Sequence, residues 1–178
     1  AASEPHVQGL CALLQSMGVR IEGVGSNVLT VWGTATLSAT THAVGGDYIE
    51  AGSLVGLAAA TGSELTITGV DTRHMRMILF QFERIGVVTR PDPDKDLIRV
   101  PARQPLRIRK DLGGAIPRIE DSPWPGFPAD LTSILLVTAT QSRGTCLVHE
   151  KMFEGRLFFV DRLLSMGARI VQIGRAHV

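Results

Sequence analysis

The stretch PWPGFPAD at residues 123–130 delivers three prolines and two aromatic side chains onto a single carboxylate. Each proline holds φ near about −65° and drives the residue before it into an extended conformation, so the run is stiff before any packing is considered. Apolar residues follow at once in DLTSILLVTA, which predicts Pro128 as a first helical residue and Asp130 in the first turn. A carboxylate there meets free N–H groups and the positive end of the helix dipole. Two uses fit: an acid that stabilises the helix mouth, and a rigidly held base that takes a proton from a hydroxyl at the lip of a site.

A second candidate is HEKMFEGR at 149–156, where a predicted strand ends and a helix begins. Such junctions expose side chains and unpaired N–H groups, which makes Glu154 and Arg156 either ligand contacts or an ordinary surface pair. Other reactive residues read as structural. Cys11 sits between Val7 and Leu14 on an apolar helix face, and Cys146 occupies a strand position, so both are packing residues. The five histidines show no ligand-spaced pair. The cations Arg103, Arg107, Arg109, Lys110 and Arg118 read as a solvated face. GVGSNV (23–28) has no P-loop lysine and leads into a strand, so it reads as a hairpin turn.

The elements that must position these groups are written in a repeat. SMGVRI (16–21) and SMGARI (165–170) are nearly identical, and RIGVVT (84–89) is a looser copy. Each follows an amphipathic stripe: Val7, Leu10, Leu14 and Met17; Met75, Ile78, Leu79, Phe82 and Ile85; Leu157, Val160, Leu164 and Met166. The glycine of each copy suits a left-handed helix cap, with a strand to follow. Two other helices, 48–61 and 130–141, are apolar or small nearly all round and must be buried. Short strands follow them at 64–69 and 145–150, with further strands predicted near 28–32, 97–100 and 106–110, and a hairpin loop at 90–96. Gly86 to Gly167, Leu65 to Cys146 and Ile67 to Val148 share one offset. Buried helices with strands outside predict an inside-out α/β fold: barrel-like repeats of helices wrapped by small solvent-facing sheets.

With 178 residues, 44% hydrophobic and 20% charged, and a net charge of +1, the chain has the make-up of a globular protein with a real core, not a nucleic-acid binder. Its longest apolar stretch, 54–60, is too short to span a bilayer and no secretory leader is present, so a reducing, cytoplasmic setting is expected.

The segments DYIEAGSLVGLAAATGSELTI, SPWPGFPADLTS and HEKMFEGRLFFVDRLLSMGA resemble the enolpyruvyl transferase family over about residues 3–172. The resemblance implies transfer of enolpyruvyl from phosphoenolpyruvate to the 3′-hydroxyl of UDP-N-acetylglucosamine, a step of peptidoglycan synthesis. Transfer to shikimate 3-phosphate and a non-catalytic sugar-nucleotide-binding role are the alternatives. It implies Asp130 as the base and Arg156 as its catalytic partner. Met152, Phe153, Asp47 and Glu4 are implied as further substrate contacts, and Tyr48 stands where family members often carry a basic residue. No metal or organic cofactor is implied. The resemblance places residues 1–46 at the end of one domain and 47–178 in the first part of the other. The family's Lys-Asn pair, its loop with a catalytic Cys and its C-terminal Asp and Arg find no match, so the chain is expected to need N- and C-terminal portions of the same enzyme and to be inactive alone. IGRAHV (173–178) departs from the family and resembles a sequencing adapter read in frame.

Overall fold

Asp47 begins the central helix and Gly62 ends it. The Asp47 carboxylate accepts from the N–H groups of Ile49 and Glu50 at 2.7 and 3.3 Å, and Gly62 closes the helix at φ 66°, the left-handed cap that glycine adopts without strain. The computed structural model describes residues 3–153 and 155–174. Its helices are α1 (Pro5–Ser16), α2 (Tyr48–Thr61), α3 (Arg76–Arg84), α4 (Thr132–Thr140) and α5 (Val160–Ser165). Its strands are β1 (Arg20–Glu22), β2 (Thr30–Trp32), β3 (Leu65–Thr68), β4 (Arg90–Asp92), β5 (Leu97–Val100), β6 (Arg118–Glu120) and β7 (Leu147–His149). Single 3₁₀ turns lie at Pro93–Lys95, Leu112–Gly114 and Ala129–Leu131.

Helices α2 and α4 pack at the centre because two glycines let them approach. A Cβ added to Gly52 would stand 2.5 Å from Leu131 Cδ1, and one added to Gly56 would stand 2.6 Å from Ile134 Cγ2. Val55, Leu131 and Leu135 fill the seam and are fully buried, joined by Ile78 and Phe82 from α3 and Ile98 from β5. Burial is not complete all round: Leu57 of α2 and Val137 of α4 reach solvent.

The strands form three small sheets. The hairpin β1–β2 is antiparallel with Ile21 opposite Val31, across the turn predicted at GVGSNV. Strands β3–β5–β4 form an antiparallel sheet, and Ile98 stands between Ile67 and Pro91. The third pair, β6–β7, is parallel, with Ile119 beside Val148. Ile67 points into the core while Thr66 and Thr68 face out, the alternation of a sheet covered on one side. The architecture is mixed α/β, and the described residues close no barrel.

Several sequence expectations need correction. Residues 106–110 make one parallel bridge, Arg107 with Arg143, and no strand, because no neighbouring backbone runs alongside them for longer. No strand follows Gly167 within the described residues. Gly18, Gly86 and Gly167 all take the predicted left-handed conformation, at φ 98°, 95° and 92°. The middle stripe is core, with Met75, Phe82 and Ile85 fully buried; of the others Val160 is buried, whereas Leu10, Leu164 and Met166 are exposed. Periodicity marks a helix face without saying what covers it.

Candidate active site

The proline run folds into a closed turn before it reaches the acid. Ser122 N–H donates to Phe127 O at 2.9 Å and Gly126 N–H to Pro123 O at 2.8 Å; the Trp124–Pro125 peptide is cis. A side chain at Gly126 would fall on Ser122 Oγ, so only glycine fits there. Phe127 and Ala129 plug the turn into the core. Pro128 is not helical, as the sequence suggested, but extended at ψ 135°, and it caps the 3₁₀ turn Ala129–Leu131. Proline's fixed φ suits both conformations; ψ separates them. Asp130 therefore stands on a short turn ahead of α4, with no capping hydrogen bond from its side chain.

Its carboxylate is turned outward. The Asp130 side chain is 64% exposed, and its Oδ1 accepts from Arg156 Nη2 at 2.9 Å. Arg156 comes from the turn after β7 and is only 27% exposed, with its guanidinium 5.0 Å from the centre of the Phe153 ring. A guanidinium stacked and bonded in this way has little freedom, so it fixes one carboxylate oxygen and leaves the other open.

A cavity of about 170 Å³ lies beside the pair. Glu4, Asp130, Met152 and Phe153 line it, four of the six residues singled out from the sequence. Enclosed small-molecule sites run to about 300 Å³ or more, so this cavity has room for one ring and not for a whole sugar nucleotide. Asp47 serves mainly as the α2 cap, with its Oδ1 also 3.4 Å from His6 Nε2. Glu154 lies outside the described residues, as do residues 175–178 of the terminal segment. A larger groove of about 530 Å³ beside α3 carries Arg73, Arg76 and Arg109 but none of the six.

Sequence reasoning gave Tyr48 no part in the site, yet it lines the same cavity as Asp130 and is buried against His6 and Trp124, with ring centres 5.0 and 5.5 Å away. Burial, and then the charges of Glu4, Asp47 and Asp130, push the Tyr48 hydroxyl up to about 12. Three carboxylates from separate elements thus converge on one neutral phenol. Tyr48 is the single tyrosine of the 178 residues, so phenolate absorbance reports it alone. The folded chain should titrate near 12, against about 10 for an exposed phenol. Because the folded value is the higher one, the phenol's stabilising share is complete below about pH 10 and is lost as pH rises through 12. A midpoint near 10 in folded protein would show the ring to be solvated.

Sequence reasoning also missed Asp121 and Glu150, which directly follow β6 and β7. The register sets Glu120 beside His149, so the next residue of each strand meets the other at one end of the parallel pair. Asp121 is buried; its carboxylate accepts from Lys151 N–H at 2.6 Å and Met152 N–H at 3.1 Å. Glu150 Oε1 accepts from Met152 and Phe153 N–H at 3.3 and 3.2 Å. An acid at the end of each strand was visible in IED and VHE; their meeting was not.

The chain matches, over residues 1–175, the family described as EPSP synthase (3-phosphoshikimate 1-carboxyvinyltransferase). It is 53% identical over 171 residues to UDP-N-acetylglucosamine 1-carboxyvinyltransferase of Treponema pallidum, covering 96% of this chain and 40% of that protein. The protein of the same name from Bradyrhizobium diazoefficiens is 54% identical over 171 residues, 96% of this chain and 39% of its own length. The chain thus spans about two fifths of these relatives. The crystal structure of the enolpyruvyl transferase NikO from Streptomyces tendae superimposes with a TM-score of 0.70 at 19% identity, over 90% of this chain and 37% of that one, a likeness of fold.

Proposed function

The chain belongs to the EPSP synthase family of enolpyruvyl transferases, and from that premise we propose that the longer protein carrying it transfers the enolpyruvyl group of phosphoenolpyruvate to the 3′-hydroxyl of UDP-N-acetylglucosamine, with Asp130 as the base. The observation that carries this reading is the Asp130 carboxylate, exposed at a cavity and tethered through one oxygen to Arg156.

The chemistry asks for such a group. A sugar hydroxyl is a poor nucleophile until its proton leaves, and the open Asp130 oxygen takes that proton as the sugar oxygen bonds to C2 of phosphoenolpyruvate. The double-bond electrons move to C3, which gains a proton. Loss of a C3 proton then restores the double bond as the C2–O bond to phosphate breaks, and phosphate leaves. Arg156 orients the base and offsets anionic charge near the substrates. Met152 and Phe153 bound the sugar side, Glu4 lines the same cavity, and Asp47 stands next to its Tyr48 wall. Further anion-binding and acid groups belong to the parts of the enzyme outside these 178 residues.

The same proposal divides the chain at residue 46, and the exposed run 33–46, free of regular elements, supports that division. Each part then belongs to an inside-out domain completed by the rest of the protein. A place in peptidoglycan synthesis in the cytoplasm follows from the acceptor.

Phosphate release by the full-length protein tests the reading. Phosphoenolpyruvate with UDP-N-acetylglucosamine should give turnover, and shikimate 3-phosphate should give none; the reverse pattern would assign the acceptor to the sister branch. Arg156→Ala should cut kcat/KM by roughly tenfold to a hundredfold, the scale of a reacting group misplaced by about an ångström. Arg156→Lys should recover part of that loss, since it keeps the charge but not the planar fork. Unaltered constants for both substrates in Arg156→Ala would remove Arg156 from the mechanism.

A further inference from the structure

We propose that Asp121 and Glu150 are positioning residues: an acid pair sharing one proton across the ends of β6 and β7, which pins the backbone of residues 151–153 to the cavity and so sets where Arg156 meets Asp130. The inference rests on the function proposed above, and it concerns two residues that do not line the cavity.

The geometry is that of a clamp. Four hydrogen bonds run from the N–H groups of Lys151, Met152 and Phe153 into the two carboxyl groups, and Met152 N–H is shared between them. Met152 and Phe153 line the cavity, and Phe153 lies under the Arg156 guanidinium. Whatever fixes these amides fixes the platform that aims Arg156.

Two adjacent carboxylates, one of them buried, do not readily both ionise. Glu150 Oε2 is buried with no other partner, and it becomes satisfied when it carries a proton and donates to Asp121. Burial, then the hydrogen bond to Asp121 and its charge, push Glu150 above the usual carboxylate range. Burial also opposes ionisation of Asp121, but the bond from Glu150 and the N–H groups of Lys151 and Met152 outweigh it and hold Asp121 below that range. The neighbouring charges are engaged elsewhere. Lys151 Nζ and Arg118 Nη2 each lie 2.6 Å from Glu120, with His149 3.8 Å from it, and Arg156 holds Asp130. The pair therefore answers mainly to its own proton.

The sign follows. A raised folded value means that Glu150 supports the loop fully at low pH, and that its support is lost as pH rises through that value. Once both groups are ionised they repel, and the amides loosen.

Amide hydrogen exchange at Lys151, Met152 and Phe153 in the full-length protein reads this without any turnover. Wild-type protection, corrected for the intrinsic pH dependence of exchange, should fall as pH rises. Glu150→Gln mimics the protonated acid and should hold protection level across that range. Asp121→Asn should lose about tenfold or more at every pH, the worth of one hydrogen bond to a charged group. In parallel, KM for UDP-N-acetylglucosamine should rise in Asp121→Asn by more than kcat falls. Equal protection in Asp121→Asn and wild type, or a loss in Glu150→Gln as large as in Asp121→Asn, would overturn the clamp. Should Asp121→Asn not fold, the wild-type and Glu150→Gln pH profiles decide alone. An Asp130→Asn protein that turns over normally would sink the proposed function while leaving the exchange result standing.

Discussion

Replacing Asp130 by Asn in the full-length protein should lower kcat by roughly 10²–10⁴-fold, the usual contribution of a positioned general base, while leaving the fold intact. Asparagine keeps a carbonyl oxygen for the 2.9 Å bond from Arg156, so the geometry around the site survives. What is lost is the ability to accept a proton from the sugar hydroxyl. The side chain is 64% exposed and makes no helix cap, so stability should move by less than about 0.5 kcal/mol. Substrate affinity should change little, because the amide NH2 that replaces the open oxygen can donate to the sugar hydroxyl oxygen. Single-turnover kinetics separate the chemical step from product release, and an unchanged chemical rate would show that another group takes the proton. The choice of Asn over Ala matters: Ala would also free Arg156, and the two effects could not be told apart.

How far such a site can be read from sequence depends on whether its signals are local. Helix α2 was legible to both ends, because Asp47 and Gly62 are cap residues lying beside the elements they bound. The stiffness of the approach to Asp130 was legible for the same reason, although Pro128 proved extended and not helical. The Asp130–Arg156 pair was not: 26 residues separate them, and only the family resemblance joined them before the fold did. The Asp121–Glu150 pair depends on the register of β6 against β7, which no local pattern specifies. Residues 106–110 failed as a strand from the other direction. Their alternation suits a sheet, but a strand needs a partner, and one bridge to Arg143 is all the fold supplies. Local chemistry thus told which groups were available and how stiffly they were held, while pairing across the chain decided which of them meet.

The helix-capping glycines offer the sharpest contrast between a local rule and its surroundings. Gly18, Gly86 and Gly167 follow helices in copies of one motif and take nearly the same φ, so alanine at any of them incurs the same left-handed strain, roughly 1–2 kcal/mol. Their neighbourhoods differ. Nothing stands within 4 Å of a Cβ built on Gly18 or Gly167, whereas one built on Gly86 would fall on the Arg107 backbone nitrogen, with Arg107 O at 2.5 Å and its carbonyl carbon at 2.8 Å. That backbone cannot easily step aside. Arg109 N–H donates to Arg84 O at 2.8 Å, Arg143 N–H to Leu106 O at 2.9 Å, and the Gln104 side chain brackets Val88. Forcing the segment away adds an overpacking cost of about 1–3 kcal/mol to the strain. Gly86→Ala should therefore destabilise by on the order of 2–5 kcal/mol and lower Tm by about 10 °C, against roughly 3–5 °C for Gly18→Ala or Gly167→Ala. Urea and thermal unfolding of the three variants side by side make the comparison. Equal losses in all three would mean that the chain near Arg107 yields freely, and that φ alone sets the requirement for glycine.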